Sequence, residues 1–243
     1  MSEIKKENSL VLGLTSIGYD GESFDNVTGL PKPRINVWPG NIVAIAEGCN
    51  KICSAELEAI KETNIRTPLG KVVLSRVASE GKVVLAGANN RRELRFVLDL
   101  IKEFSPLVIV DGALSRIAPM VEADCLILVT GAARHTDIPR LALESGCMVD
   151  ILSTRALAGL GRVETIGSIL SQSGFQAFEE KCLVADTVRI KGVIGEKYLK
   201  ELVFLSGKLA NKRLIFDDPV KLFLAGEAMT VWKYLKELSA ASI

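Results

Sequence analysis

Two short stretches of this sequence hold the side chains best suited to chemistry. In LVIVDGALSR the apolar run Leu107–Val110 ends on Asp111-Gly112, with Ser115 and Arg116 just beyond. An acid at the tip of a buried strand can hold a hydrated magnesium ion or a metal-bound phosphate. The planar fork of a neighbouring arginine pairs with phosphate or carboxylate. In GYDGESFD, Asp20, Glu22 and Asp25 fall within six positions of one another, and Lys32 and Arg34 follow. Acids this dense coordinate a metal when their loop faces inward and form a solvated face when it does not; the residues leave both readings open. Two further apolar runs end on polar residues, CLILV on Thr130-Gly131 and MVDIL on Ser153-Thr154-Arg155. Ligands of an open α/β sheet bind beyond the carboxyl ends of its strands, so Asp111, Gly112, Thr130, Gly131, Thr154 and Arg155 carry most of the functional weight.

Other chemistries are excluded or weak. A GxxxxGK[ST] loop, whose amides and lysine would cradle phosphates, is absent, and so is GxGxxG; Gly13, Gly18 and Gly21 precede no lysine in the required register. ATP hydrolysis by this chain alone is not expected. Cys49 and Cys53 have a CxxxC spacing with no second cysteine pair nearby, and His135 is the one histidine, so a tetrahedral zinc site is not expected either. Cys125, Cys147 and Cys182 adjoin apolar runs and read as buried small hydrophobes. For His135, in GAARHT, a surface or capping role outweighs a catalytic one, since no GxSxG elbow offers it a nucleophile. Arg91-Arg92 stand at a helix start, where the helix dipole disfavours cations, and are candidate anion or partner contacts.

The elements that must position these residues follow from hydrophobic spacing. A strand is expected at Val11–Leu14, two short strands in Ile35–Ala46 around a Pro39-Gly40 turn, and a helix from Ser54 to Glu62. Lys71–Ala78 and Lys82–Gly87 read as a hairpin or adjacent strands about Ser79-Glu80-Gly81. Leu94, Val97, Leu98, Ile101 and Phe104 recur at helical spacing, with Asn89 or Asn90 as cap and Ser105-Pro106 as stop. Strands are then expected at Leu107–Val110, Cys125–Val129, Met148–Leu152, Cys182–Val188 and Arg213–Phe216. The intervening helices include one that Asp137 opens and Gly146 closes, one near Glu196–Leu205 and one at Met229–Leu238. This alternation favours an α/β fold, a three-layer, mostly parallel sheet with helices on both faces, plus short antiparallel strands in the N-terminal half. No clean linker divides the chain, so residues 1–243 read as one domain, with 35–87 as a candidate β-rich subdomain.

Composition narrows the setting. The 243 residues carry 30 Lys plus Arg against 29 Asp plus Glu, a net charge of +1, which argues against a strongly basic nucleic-acid binder. The 8 Phe, 3 Tyr and 2 Trp suggest no stacking surface for RNA. Five scattered cysteines suit a reducing compartment, no stretch approaches the length of a membrane span, and a cytoplasmic location is expected.

Taken together, GLTSIGYDGE, VTGLPKPRI, TPLGKVVLSRVASEG and IVDGALSR resemble the small reactivase subunit that serves adenosylcobalamin- and pyridoxal-phosphate-dependent lysine 5,6-aminomutase in clostridial amino-acid fermentation. The resemblance implies a nucleotide-binding, P-loop-NTPase-like fold, ATP and magnesium as cofactors, and the exchange of inactivated cobalamin from the target enzyme with a larger reactivase subunit or the aminomutase as partner. It implies that Asp20, Glu22 and Asp111 are metal-proximal, while Lys32, Arg34, Ser115 and Arg116 face the nucleotide or partner. It further implies a phosphate loop ahead of GLTSIG; ten residues precede Val11, so that loop is expected from a partner chain, or ATP turnover has been lost. Two other readings stand beside it: a free-standing enzyme on a small anionic metabolite, using Asp111, Thr130, Arg155 and His135, and a structural homo-oligomeric component. None of them involves nucleic acid or a membrane.

Overall fold

The apolar run near the start of the chain forms strand β1, Leu12–Ser16, and all its residues are buried. In the computed structural model, residues 11–20, 35–112, 117–132, 134–154, 163–209 and 212–240 are described. The fold is mixed α/β, with multi-stranded sheets flanked by helices. By its internal contacts the chain forms two compact units, Met1–Leu126 and Ile127–Ile243.

In the N-terminal unit β1 is followed by β2 (Tyr19–Asp20), β3 (Ile35–Val37), β4 (Ile42–Ala46), β5 (Glu56–Thr67), β6 (Gly70–Ser79), β7 (Gly81–Val83), β8 (Leu85–Ala86), helix α1 (Arg91–Lys102), β9 (Leu107–Asp111) and helix α2 (Ile117–Glu122). Five strands make one sheet in the order β5-β6-β4-β1-β9. β1 pairs parallel with β4 and β9, whereas β6 runs antiparallel to both β4 and β5. Half of this sheet is therefore antiparallel, a correction to the mostly parallel arrangement expected. The Pro39-Gly40 turn between β3 and β4 forms as the sequence predicts: Asn41 N donates to Trp38 O at 3.0 Å, and Gly40 takes φ +88, open to glycine at no steric cost.

Helix α1 covers one face of this sheet. Its Val97, Leu100 and Ile101 pack on Ile42, Ala44, Ile65, Val72 and Leu74, and Asn90 caps it by accepting from Glu93 N. The other face is covered differently from expectation. Leu14, Val43, Ile45 and Val77 lie under Val37, Val83, Leu85 and Ala86, residues of two-stranded ribbons in which β3 pairs with β7 and β2 with β8. So β7 and β8 cross over the sheet and do not form a hairpin with β6, and helices do not flank this unit on both faces among the described residues. The helix expected at Ser54–Glu62 is part of β5, which pairs along β6. Among the described residues no strand pairs with the outer edge of β9.

The C-terminal unit contains helix α3 (Ile138–Leu152), β10 (Glu164–Ile166), α4 (Gln172–Val184), β11 (Thr187–Ile190), α5 (Glu196–Phe204), β12 (Arg213–Phe216), a 3-10 helix (Pro219–Ala225) and α6 (Ala228–Ala240). Its three strands are parallel, in the order β10-β11-β12. Right-handed crossovers between successive neighbours put α4 and α5 on the same face, where Phe175 lies 5.2 Å from Tyr198 and 5.8 Å from Phe178, ring centre to ring centre. Asp137 does open α3, accepting from Arg140 N, but Gly146 does not close it. The helix runs on through Cys147, Met148 and Ile151, which are buried, so the strand expected at Met148–Leu152 is helical. The strand expected at Cys125–Val129 is also absent: those residues are irregular, with Ile127 89% and Val129 85% exposed. Cys182 belongs to α4, and only Thr187–Ile190 of the expected Cys182–Val188 region and its surroundings is strand.

Each buried α1 side chain contributes roughly 1.5–3 kcal/mol of burial free energy. Ile101→Ala, at a fully buried position, is expected to lower stability by about 2–5 kcal/mol in urea unfolding. Phe96→Ala, on the exposed side of α1, should cost about 0.5 kcal/mol or less. Equal losses would mean that α1 does not pack by the Leu94–Ile101 face.

Candidate functional site

The carboxyl ends of β1 and β9 meet because the two strands are paired in register, Ser16 opposite Asp111. Ile17 N donates to Asp111 O at 3.4 Å and continues the ladder one residue beyond β1. On the other side of the β1 tip, Ile17 bridges Ala88 in parallel. Gly18 N donates to Ala88 O at 2.9 Å, while Gly87 N donates to Gly18 O at 3.0 Å and to the Ser16 Oγ at 3.2 Å. The Ser16 hydroxyl in turn donates to Gly18 O at 2.9 Å. A Cβ on Gly87 would stand 1.9 Å from Ser16 O, so only glycine lets the two backbones approach this closely. The result is a rigid turn at the β1 tip, with half-buried Asp111 and exposed Gly112 beside it.

From Ala88 the chain enters α1. Asn89 N donates to the Glu93 carboxylate at 3.0 Å, its Nδ2 donates to Arg66 O at 2.9 Å, and Glu93 N donates to Asn90 Oδ1 at 3.1 Å. One turn of α1 also carries a charge clamp: Arg91 is hydrogen-bonded to Glu122 of α2, and Arg95 Nε is 3.3 Å from the same carboxylate. The Glu122 side chain is only 4% exposed. Arg91, a candidate anion contact by sequence, is thus engaged by an acid of its own chain. The clamp fixes α2 against α1. The RRELR spacing, two arginines four residues apart on one helix face, was the signal that could have predicted a shared acid.

Of the other sequence-predicted site residues, Glu22, Lys32, Arg34, Ser115, Arg116 and Arg155 lie outside the described residues, as does Asp25. For Asp20 the backbone is described: it pairs with Leu85 in the β2–β8 ribbon. Thr130 and Gly131 are exposed and follow no strand, because Cys125–Val129 is irregular; the strand-tip argument that selected them does not hold. Thr154 follows helix α3, not a strand, and its hydroxyl donates to Ile151 O at 2.8 Å. His135 Nδ1 accepts from Asp137 N at 3.0 Å and so helps open α3. Among the described residues no group of three or more His, Cys, Asp or Glu side chains is arranged to hold a metal ion.

Near that helix start Arg134 grips Glu144, its Nε at 3.2 Å and its second nitrogen also bonded to the carboxylate. The hydrogen bond from Arg134 is the main reason the Glu144 carboxyl titrates below its ordinary value, with charge attraction from Arg134, Arg140 and His135 adding to it against a burial cost. The same bond raises Arg134.

The thiols divide by burial. Cys49, Cys147 and Cys182 are buried, Cys53 is half-buried and Cys125 is exposed, which corrects the reading of Cys125 as a core residue. Burial pushes the Cys49 and Cys182 thiols up to about 11; a charge effect from Cys53 adds to the shift at Cys49. Cys53 is also raised, chiefly by burial, although Val84 N donates to its Sγ at 3.5 Å.

No protein-family model matches this chain, and neither a curated protein nor a solved structure matches it. Among the described residues no helix is long and apolar enough to cross a membrane.

Two measurements test these assignments. The Glu144 carboxyl is lowered on folding, so its pair with Arg134 stabilises fully above its ordinary value of 4.5 and is lost as pH falls through the lower folded value. Arg134 is 48% exposed, which limits the effect to about 1 kcal/mol. Glu144→Gln should flatten the acid side of a thermal-stability profile; an unchanged profile would refute the pair. For the thiols, a maleimide at mildly alkaline pH should modify Cys125 first, Cys53 slowly, and Cys49, Cys147 and Cys182 only on unfolding. Peptide mapping that found Cys49 labelled as fast as Cys125 would contradict the burial order.

Proposed function

We propose that this chain is a cytoplasmic accessory protein, reactivase-like, for a cobalamin-dependent aminomutase. It acts with a larger reactivase subunit or on the aminomutase itself, alone or as a homo-oligomer. The observation that supports this reading is the meeting of two motifs far apart in sequence: GLTSIG ends at the β1 tip and IVDG at the β9 tip, with Ser16 opposite Asp111. In a parallel sheet this is where nucleotide ligands bind. The reading carries with it a P-loop-NTPase-like nucleotide-binding core, for which the parallel β4-β1-β9 strands are the supporting feature.

In this reading Asp111 faces a bound nucleotide through magnesium. A single carboxylate suits that ion, which keeps several waters and takes only one or two protein ligands. Magnesium supplies neutralisation of phosphate charge when bound. The Ser16–Gly18 turn, locked by Gly87, keeps the β1 tip from rearranging, and the Arg91–Arg95–Glu122 clamp ties α2 to α1.

Calorimetric titration of the full chain with ATP and ADP, with and without magnesium, tests the nucleotide part. Binding without turnover is expected, and Asp111→Asn should weaken the magnesium-dependent affinity about tenfold. Rapid ATP hydrolysis by the isolated chain would overturn the accessory reading. Co-expression with the aminomutase and the larger subunit tests the rest: a complex should form with ATP, magnesium and damaged cofactor, and its absence under all three conditions would sink the proposal.

A further inference from the structure

The three-stranded sheet of the C-terminal unit has two unlike faces. One carries Ile166, Val188 and Ile190, all buried. The register puts Thr165, Arg189 and Ile215 side by side on the opposite face, with Thr187 beside Arg213. Both crossover helices occupy the apolar face. The described helices then pack on one another, α5 on α6 and α6 on α3, and α4 is the one helix in substantial contact with β10 and β11. Among the described residues the polar face is partly covered: Thr165 and Arg213 are exposed, and Thr187, Arg189 and Ile215 are half-buried. Parallel sheets are ordinarily covered on both faces.

The charges on this unit make the polar face selective. Asp186 is held by Lys212 at 3.1 Å, Asp217 by Lys221 at 3.6 Å and Glu164 by Lys181 at 2.9 Å. Arg189 and Arg213, diagonal neighbours on adjacent strands, have no carboxylate within ion-pair distance among the described residues. Arg189 Nε is buried and makes no hydrogen bond. A buried donor without an acceptor costs stability, and no group of this chain among the described residues neutralises the Arg189 guanidinium through that atom.

We propose that the Thr165–Thr187–Arg189–Arg213 face is a docking surface for an acidic segment of a protein partner, whose carboxylates take the two guanidinium forks. A second copy of this chain is the wrong occupant, because a two-fold pairing of this face would set arginine against arginine. A nucleic acid would want stacking aromatics and more positive charge, and a flat sheet face does not enclose a small anion. The proposal is independent of the aminomutase reading, since it rests on a different unit.

Fluorescence anisotropy of dye-labelled poly-L-glutamate with the full chain at low salt tests it. Arg189→Gln combined with Arg213→Gln should weaken binding about tenfold or more, and Lys197→Gln combined with Lys236→Gln about twofold or less. Equal losses in the two variants, or none in the arginine variant, would overturn the proposal. Displacement by inorganic phosphate at matched charge, or tighter binding of a single-stranded oligodeoxynucleotide, would overturn it in favour of a free-anion or nucleic-acid site. Should the double variant fold poorly, Arg213→Gln alone, at an exposed position, should still weaken binding severalfold; unchanged binding would count against the face. Arg189→Leu, which removes the unpaired donor, should leave Tm unchanged or raised. A fall of several degrees would assign Arg189 a structural role and refute its place in docking.

Discussion

The N-terminal unit depends on the parallel pairing of β1 between β4 and β9. β1 is buried along its whole length, so its backbone groups have only those two neighbours to satisfy them. Thr15 shows the same constraint in a side chain: its buried hydroxyl donates to Ala44 O of β4 at 3.0 Å. The register that satisfies β1 also decides what stands at its end. A slip of one residue would turn Leu12 and Leu14 away from their buried contacts and move Asp111 off Ser16.

Around that pairing the unit is asymmetric. α1 seals one face with aliphatic side chains, and the second face is closed by two short ribbons whose strands are too brief to stand alone. This arrangement concentrates tight backbone packing at the β1 tip, where Gly87 meets Ser16, and leaves the outer edge of β9 without a strand among the described residues. The C-terminal unit solves burial in another way. Its successive parallel strands force both crossover helices to one side, and polar residues on the other side are the consequence that makes that face usable for binding.

Much of the fold was legible. Asn89 or Asn90, and Asp137, read as helix caps, and Asn90 and Asp137 are the caps, because a short acceptor at that position has an obvious amide to take. Arg213–Phe216 was legible as a strand to the residue, and the Leu94–Ile101 spacing marked the buried face of α1. The misreadings share a cause. Ala55, Leu57, Ala59 and Ile60 have spacing that suits a helix, yet this stretch pairs with β6 across the Thr67–Gly70 turn, where Leu69 N and Gly70 O are both tied to the Thr67 hydroxyl. MVDIL looks like a buried strand, but Gly146 is exposed, a Cβ there would meet nothing, and α3 passes through it. Short apolar runs suit either state, and their partners decide.

What the sequence by itself determined is local: the caps, the turn at Gly40, the α1 stripe, the acid that ends LVIVD and the near balance of charge. Each depends on interactions within a few residues, or on composition alone. The tertiary structure decided which of the strand-end candidates stand at a strand end, leaving Asp111 and Gly112 and removing Thr130, Gly131 and Thr154. It also decided that Arg91 and Arg95 share Glu122 and that Arg189 and Arg213 share one sheet face. Those are pairings across distant segments: the Arg91–Arg95 spacing suggests a shared acid, but only the fold selects Glu122 and sets Arg189 diagonal to Arg213.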